Sequence, residues 1–410
     1  MTNTAPQADV VIVGAGPAGA ATAILLAQDG HDVLLLDRAR FPRDKVCGEY
    51  LSPEASRILD RLGVLKAVET GGARPLRGMR ITAPDGTTVV GDYPRSGPHR
   101  GYRDHALAAP RRMLDATLVA RARELPVTVR EGFRVTDLVF NGGRVVGVEG
   151  VPVDGSGPPT RIRARLVIGA DGRTSVVARR LGLVRPHPWL ARVALMTYAK
   201  GVACDPERGE IFLAPPVYSI LNPVGDDLVN LSLVVPAAEA VRRKGDLAGY
   251  FDQTARAVPG LAERLSGARR VQPIRALGPL AYRVAPPRHD GVLLVGDAFG
   301  FLDPFTGEGV YAALRSAELA AAVAGAALRA DDVSARVLRP AHARRTAELG
   351  GKARVTVLLQ HVIQRRRVAV HVLHRLARRP ASLEQLMGVI GDFAPARELL
   401  SARFLAGLVW

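Results

Sequence analysis

Cysteine is nearly absent from this 410-residue chain, which carries only Cys47 and Cys204. Two cysteines cannot build a disulfide framework, and their scarcity fits a reducing cytoplasm. No Cys/His spacing typical of a zinc site occurs, so we expect no metal. Apolar residues make up 48% of the chain and charged residues 23%, which is the composition of an ordinary globular protein.

The sequence predicts neither an export signal nor an uninterrupted membrane span. No basic stretch precedes the first apolar run, so we expect no secretory signal and a cytoplasmic location. The uncharged run from Val10 to Gln28 is long enough to suggest a span. Gly14, Gly16, Pro17 and Gly19 instead break it into a strand, a turn and a helix, so we expect no spanning segment.

Negative charge is in the minority, because 56 Lys and Arg residues stand against 39 Asp and Glu residues, a net charge of +17. This balance indicates either a soluble arginine-rich surface or attraction to anionic cofactors, lipids or nucleic acid. No nucleic-acid-binding motif accompanies it, so we expect no such partner. Residues 361–379 are basic and amphipathic, which predicts a packed helix with a solvated basic face, or peripheral contact with an anionic membrane.

Strand and helix patterns alternate along most of the chain. Apolar runs at 8–16, 31–37, 163–172 and 291–300 predict buried strands, and helical patterns follow several of them. We therefore predict an α/β protein with a doubly wound, Rossmann-like nucleotide-binding domain and an inserted mixed β-sheet domain. The predicted divisions are 1–75 with 100–180 and 280–330 for the nucleotide domain, 76–99 with 181–279 for the inserted substrate-binding sheet, and 331–410 for a helical C-terminal region.

A glycine-rich turn lies between the first strand and the first helix. Its sequence is Gly14-Ala15-Gly16-Pro17-Ala18-Gly19, and Asp37 ends the next strand. In this context the glycines allow a tight turn and close approach to a pyrophosphate at the helix N-terminus. Asp37 would accept hydrogen bonds from a ribose hydroxyl. The turn predicts a bound dinucleotide but does not distinguish FAD from NAD.

Two later segments make that distinction. They are LVIGADG at 166–172 and LLVGDA at 293–298, the second followed by Asp303-Pro304 and Gly307-Glu308-Gly309. Both resemble segments of the para-hydroxybenzoate-hydroxylase-like flavoproteins. The resemblance implies that FAD is the cofactor and that Asp297 bonds its ribityl chain. It also implies that the glycine turn at 307–309 and its helix lie against the pyrimidine edge of the flavin, where a helix N-terminus stabilises reduced flavin.

A fourth segment, FPRDKVCGEYLSPEA at 41–55, resembles the geranylgeranyl-reductase family, a branch of the same superfamily. Gly307-Glu308-Gly309 and Arg111 are similar to that branch as well. The chain is thereby identified as an FAD-dependent oxidoreductase. The cofactor-binding residues that the motifs and the resemblance imply are Gly14, Gly16, Gly19, Asp37, Arg38, Lys45, Gly48, Arg111, Asp171, Gly296, Asp297, Pro304, Gly307 and Gly309.

Cys47 and Tyr218 are the predicted catalytic residues. In the reductases the matching cysteine lies by the flavin, so the Cys47 thiol could donate a proton or line the substrate cavity. The alternative is a small packing residue. Glu49 could take part in acid–base chemistry or face solvent. Prenyl reductases usually carry a YxWxFP stretch, whereas residues 218–223 here are YSILNP, so a long isoprenoid is not the expected substrate.

Two reactions are open to such an enzyme. Reduced FAD could activate O2 to hydroxylate or epoxidise a lipophilic or aromatic natural-product-type molecule, which the altered YxWxFP stretch favours. It could instead deliver hydride to a C=C bond, which the resemblance to geranylgeranyl reductases favours. We expect the monooxygenase, with NAD(P)H as external electron donor; a partner reductase is the alternative donor. A halogenase is less favoured because no WxWxIP stretch occurs.

Overall fold

The computed structural model describes residues 7–97 and 99–409, and a largely parallel sheet lies at the predicted buried runs. Its strands, numbered along the whole chain, are β1 (Ala8–Val13), β2 (Val33–Asp37), β8 (Val127–Glu131), β9 (Phe133–Asn141), β10 (Arg144–Pro152), β11 (Thr160–Gly169) and β20 (Val292–Leu294). The order is β8-β2-β1-β11-β10-β9, with β20 also beside β11. β1 is parallel to β2 and β11, while β9 and β10 are antiparallel.

Helices cover this sheet because its strands are apolar on both faces. The helices of this part are α1 (Pro17–Gln28), α2 (Pro53–Arg61), α3 (Leu65–Thr70), α4 (Arg111–Arg123), α5 (Val176–Arg180) and α9 (Gly309–Arg329). α1, α4 and α9 form one core with the first face, and α5 and the β9–β10 hairpin cover the second. The predicted α/β, Rossmann-like class is confirmed.

A second, mixed sheet is built from two separated parts of the chain. Its strands are β5 (Gly78–Thr82), β6 (Thr88–Asp92), β13 (Arg192–Lys200), β14 (Arg208–Ala214), β15 (Val217–Gly225), β16 (Leu228–Pro236), β17 (Arg269–Arg270) and β18 (Arg275–Leu277). The order is β17-β13-β16-β15-β14-β5-β6, with β18 also beside β13. We call it the inserted sheet. One face packs on α6 (Ala237–Arg242), α7 (Leu247–Ala257) and α8 (Leu261–Arg264), which leaves the other face for the cavity described below.

Short elements connect these two bodies. They are β3 (Tyr50–Leu51), β4 (Arg74–Leu76), β7 (Ala106–Ala108), β12 (Val184–Pro186), β19 (Tyr282–Val284) and β21 (Gly300–Phe301), with 3₁₀ turns at Gly172–Thr174, Lys244–Asp246, Gly296–Phe299 and Ala396–Glu398. β3, β4 and β7 form one small sheet, and β12, β19 and β21 form another. The boundaries of the three predicted regions stay predictions.

The C-terminal part is helical. It contains α10 (Ala335–Ile363), α11 (Arg366–Ala377), α12 (Pro380–Ile390) and α13 (Ala402–Val409), and α11 and α12 pack against β6. The basic segment 361–379 is divided between α10 and α11, and it buries Ala369, Leu373 and Leu376 while most of its arginines are exposed. Among the described residues one helix, α9, is long and apolar enough to cross a membrane, and 67% of that stretch is buried inside the protein.

Candidate functional site

A cavity of about 730 Å³ lies between the carboxyl ends of the parallel strands and the free face of the inserted sheet. This volume is within the usual range of small-molecule and cofactor sites. The cavity brings together most of the predicted cofactor residues, although they are spread over some 300 positions. Those that line it are Gly14, Gly16, Asp37, Arg38, Lys45, Gly48, Arg111, Asp171, Asp297, Pro304, Gly307 and Gly309.

The glycine turn is held in a conformation that other residues rarely adopt. Gly14 has φ of +102°, and a Cβ there would lie 2.5 Å from the backbone oxygen of Ala170. Gly19 does not line the cavity; a Cβ on it would lie 1.8 Å from the oxygen of Gly14, so it allows the helix to pack on the turn. Asp37 accepts from the backbone N–H of Ala15 at 2.8 Å, which ties the second strand to this turn. The carboxylate therefore shapes the turn in addition to its predicted contact with a ribose.

Two arginine side chains reach over the glycine turn. A Cβ on Gly16 would lie 3.7 Å from Nη2 of Arg43 and 3.8 Å from Nη2 of Arg111. Both guanidinium groups contact the fully buried carboxylate of Asp115, Arg111 through two hydrogen bonds of 2.8 Å and Arg43 at 3.0 Å. Because one carboxylate is shared by two guanidinium groups, positive charge remains for an anion at the turn. Neither Arg43 nor Asp115 was among the predicted cofactor-binding residues.

Further polar groups in the cavity are partly buried. Burial raises the pKa of the Asp297 carboxyl, and the nearby Lys45 ammonium opposes that effect. Burial also lowers the pKa of Lys45. Asp171 accepts from the N–H of Val176 at 2.6 Å through one oxygen, and its other oxygen is buried with no hydrogen-bond partner among the described residues. Such unpaired polar atoms fit a site that is completed by a polar cofactor.

The turn at 307–309 begins helix α9 at the cavity wall. Gly307 has φ of +66°, and a Cβ there would lie 2.5 Å from the ring of Tyr50. Gly296, which does not line the cavity, lies behind the wall, where a Cβ would come within 2.8 Å of the Ala18 side chain. Lys352 of α10 lies 3.6 Å from Glu308, so the C-terminal region also supports this turn.

Glu49 lies in the interior, so the alternative that it faces solvent is wrong. It has φ of 59° and is 1% exposed. One carboxylate oxygen accepts from the N–H of Arg111 at 2.8 Å and from the hydroxyl of Tyr198 at 2.5 Å. The other oxygen accepts from Asn230 at 3.1 Å. Burial raises the pKa of Glu49, while these hydrogen bonds act against the rise.

Cys47 lines the cavity next to this carboxylate. Its sulfur accepts from the N–H of Glu49 at 3.3 Å. Burial raises the pKa of the Cys47 thiol, and the nearby Arg111 charge acts in the opposite direction. Asn230 donates to the backbone oxygen of Cys47 at 2.7 Å, and Asn222 donates to that of Gly48 at 2.9 Å. The segment is therefore fixed to the inserted sheet.

Tyr218 occupies a different place from the one its predicted catalytic role requires. It is fully buried and is not part of the cavity lining. Its hydroxyl donates to the carboxylate of Asp303 at 2.5 Å, and the same oxygen of Asp303 accepts from the N–H of Phe305 at 3.0 Å. We correct the role of Tyr218 to a positioning residue for the loop that contains Pro304.

The face of the inserted sheet that looks towards the nucleotide domain carries three rows of side chains. Strand pairing places Tyr198, Asn230 and Asn222 in the first row and Met196, Ser232 and Ile220 in the second. Ala194, Val234 and Tyr218 form the third. The first row holds the Cys47 segment and the third contacts Asp303, so the sheet joins two loops from distant parts of the chain. Ile220 and Ser232 of the middle row line the cavity.

A glycine turn on a parallel sheet, two arginines over that turn and a separate sheet that closes the cavity are typical of a dinucleotide-binding enzyme. The family model described as FAD binding domain matches residues 7–348. The chain therefore belongs to the FAD binding domain family, and the protein is an FAD-dependent oxidoreductase with geranylgeranyl-reductase-type relatives.

The relatives carry out more than one reaction. The chain is 32% identical over 353 residues to digeranylgeranylglycerophospholipid reductase 2 of Methanopyrus kandleri, with 83% of each chain covered. It is 31% identical over 362 residues to 6-methylpretetramide 4-monooxygenase of Streptomyces rimosus, with 85% of this chain and 83% of the relative covered. A solved structure of the flavin-dependent brominase Bmp2 has a TM-score of 0.83 at 20% identity, with 98% of each chain covered, which shows the shared fold.

Proposed function

We propose that this protein is a flavin monooxygenase that hydroxylates or epoxidises a lipophilic or aromatic small molecule. The observation that carries the proposal is the apolar chamber on the inserted-sheet side of the cavity. Its wall is formed by Val46, Ala194, Ile220, Leu277 and Leu280. Such a wall buries an apolar substrate and keeps water from the reacting atoms.

The hydrogen bonds around the chamber support the same reaction. FAD, when bound, supplies the electrons and its reduced form activates O2. Hydride addition to a C=C bond requires a proton donor beside the substrate. The Tyr198 hydroxyl donates its proton to the carboxylate of Glu49, which also accepts a hydrogen bond from Asn230. These acid–base groups are thus hydrogen-bonded within the protein. Oxygen transfer depends less on a protein acid than on a dry, shaped chamber.

We propose NAD(P)H as the external electron donor. Arg134, Arg179 and Arg180 line the cavity in addition to the arginines at the glycine turn. These side chains would attract an anionic dinucleotide that enters from solution. Anaerobic stopped-flow mixing with NADPH and with NADH tests this step. Bleaching of the flavin absorbance supports direct reduction, whereas a flavin that only a partner reductase bleaches contradicts it.

The reaction itself is tested by separating reduction from oxygen uptake. The FAD-loaded enzyme is reduced without oxygen, mixed with a candidate aromatic or polyketide-like substrate, and then exposed to O2. We expect faster O2 consumption with substrate present and a product that contains one added oxygen atom from ¹⁸O2. Oxidation of the reduced flavin by an unsaturated substrate without O2 contradicts the monooxygenase.

One observation favours C=C reduction as a second candidate. The Cys47 thiol lines the cavity, and burial raises its pKa, so it holds its proton at neutral pH. If the enzyme is a reductase, Cys47→Ala should slow anaerobic oxidation of reduced enzyme by an unsaturated substrate. Cys204→Ala, at the other cysteine, is the matched control. Equal rates in wild type and Cys47→Ala exclude this role of the thiol.

We further propose a cytoplasmic enzyme whose α11 helix contacts anionic membranes. Arg366 and Arg367 are exposed on this helix, and Trp189, 41% exposed, stacks on a histidine at the end of α10. Basic and aromatic side chains together suit a lipid headgroup region. We expect Arg366→Glu with Arg367→Glu to reduce sedimentation with phosphatidylglycerol vesicles, whereas Arg339→Glu with Arg344→Glu, on α10, should not. No sedimentation of the wild type contradicts the proposal.

A further inference from the structure

We infer that Ser232 is a hydrogen-bond acceptor for the substrate, so the substrate is an apolar molecule that presents one O–H or N–H donor to the inserted sheet. The inference rests on the proposal that a lipophilic molecule occupies the chamber. Four described residues of the inserted sheet line the cavity. Ser232 has a polar side chain, and the other three, Ala194, Ile220 and Leu277, have hydrocarbon side chains. It is therefore the point of the sheet at which a polar group can be recognised.

The direction of the hydrogen bond follows from Asn230. The Nδ2 group of Asn230 faces two acceptors, the carbonyl of Cys47 at 2.7 Å and the carboxylate of Glu49 at 3.1 Å. Because a backbone carbonyl cannot donate to an amide oxygen, the contact with Cys47 fixes this orientation of the Asn230 amide. Its Oδ1 then faces the hydroxyl of Ser232 at 3.0 Å, and Ser232 must donate to it.

A serine hydroxyl has one proton and two lone pairs. The proton of Ser232 is used by Asn230, and no described residue donates to the Ser232 oxygen. The Ser232 oxygen can therefore accept a hydrogen bond from a molecule in the cavity, but Ser232 has no proton left to donate to it. Its side chain is 6% exposed, so a ligand that covers it without donating a hydrogen bond would leave that oxygen unpaired.

Strand pairing shows why this acceptor is aimed at the chamber. Ser232 lies two residues from Asn230 on β16, so both side chains are on the same face of the sheet. Ile220 lies directly opposite Ser232 on β15 and also lines the cavity. Ser219, the neighbouring serine on β15, is fully buried, does not line the cavity and bonds the backbone oxygen of Ser232 at 3.1 Å.

The test is a binding measurement with two probes of similar shape. 4-Hexylphenol carries a donor, and 1-fluoro-4-hexylbenzene has fluorine in place of the hydroxyl and donates nothing. Each is titrated into the FAD-loaded enzyme, and the dissociation constant is obtained from the change in flavin absorbance. We expect Ser232→Ala to lower the preference for the phenol about tenfold, the size expected for one buried hydrogen bond.

Ser232→Thr, which keeps the hydroxyl, should retain the preference, and so should Ser219→Ala, the matched control on the adjacent strand. A preference that is the same in Ser232→Ala and in wild type overturns the inference, as does a wild type that binds both probes equally. Because binding is measured without O2 and without a reductant, failure of the monooxygenase proposal would leave this result intact, and the two can be distinguished.

Discussion

The carboxylate of Asp115 accepts two parallel hydrogen bonds of 2.8 Å, from Nε and Nη2 of Arg111, on the buried side of helix α4. The two residues are one helical turn apart, so α4 itself sets their geometry. The same carboxylate lies 3.0 Å from Nη1 of Arg43. Asp115 thus fixes the two cationic side chains that reach over the glycine turn.

We expect Asp115→Asn to weaken FAD binding by tenfold or more, because both guanidinium groups lose the carboxylate that orients them. Removal of one partner from a buried ion pair also costs about 3–5 kcal/mol of stability. Fluorescence titration of FAD into the apoenzyme measures the affinity. The control is Asp252→Asn, at a partly exposed ion pair with Arg270. Unchanged FAD affinity in Asp115→Asn would show that the arginines do not depend on it.

The glycine turn gives a second prediction. Gly14→Ala combines a positive φ with a Cβ only 2.5 Å from the Ala170 oxygen, so we expect loss of FAD and a clear fall in melting temperature. Gly30→Ala has φ of +85° and no atom within 4 Å of its Cβ, so it carries the backbone strain alone, about 1–2 kcal/mol. Thermal unfolding and bound-flavin absorbance compare the two variants. Equal effects would exclude the steric explanation.

Asp303 predicts a pH-dependent stability. Burial raises the pKa of this carboxyl from 3.8 to about 6, while the hydrogen bond from Tyr218 acts against the rise. The pKa of Asp303 is higher in the folded protein than in the unfolded chain. Its contribution to the free energy of unfolding is therefore fully present below the unfolded-state pKa, and it is lost as pH rises through about 6. Asp303 therefore adds about 3 kcal/mol more to the free energy of unfolding at low pH, where it is protonated, than at neutral pH.

Asp303→Asn isolates this contribution, since an amide remains neutral throughout. We expect the free energy of unfolding of wild type, relative to the variant, to fall between about pH 4 and pH 7 and then to stay constant. Urea unfolding at a series of pH values measures the difference. A difference that is flat over that interval contradicts a raised pKa at Asp303.

The two thiols should be slow to alkylate in the folded protein. Burial raises the pKa of Cys47, and it raises the pKa of Cys204 to about 11. Little thiolate is then present at neutral pH, and thiolate is the reactive form. We expect iodoacetamide to react far more slowly with both cysteines than with the unfolded chain, and faster as pH rises. The single Cys→Ala variants assign each rate, and rapid reaction of Cys47 at neutral pH would contradict its raised pKa.

The sequence predicts the parts of the site that have a local signature. The glycine turn, Asp171 and Asp297 each follow a strand directly, so their motifs can be recognised and twelve of the fourteen predicted cofactor residues line the cavity. Asp115 and Asn230 belong to no motif, and Asn222 stands where the YxWxFP stretch has its phenylalanine, which gives no sign of its role. They are ordinary polar residues on a helix and two strands, and their roles arise from contacts with residues far away in the chain.

Tyr218 shows the opposite error. A family pattern suggested catalysis, and Tyr218 does lie on the same face of β15 as Ile220, but its hydroxyl contacts Asp303 and does not line the cavity. The position of a single residue on a strand fixes its face, yet which neighbour covers that face depends on tertiary packing. The direction in which Glu49 points could not be predicted for the same reason, since it depends on Tyr198 and Asn230.

The three rows on the inserted sheet also constrain how the protein is made. Glu49 contacts Asn230, which lies 181 positions after it, and Tyr218 contacts Asp303, which lies 85 positions after Tyr218. A chain leaving the ribosome cannot complete either contact until the later partner has been synthesised and the sheet has formed. A nascent chain that ends before Asp303 lacks this contact and also lacks Pro304, Gly307 and Gly309 of the cavity lining, so we expect it not to retain FAD.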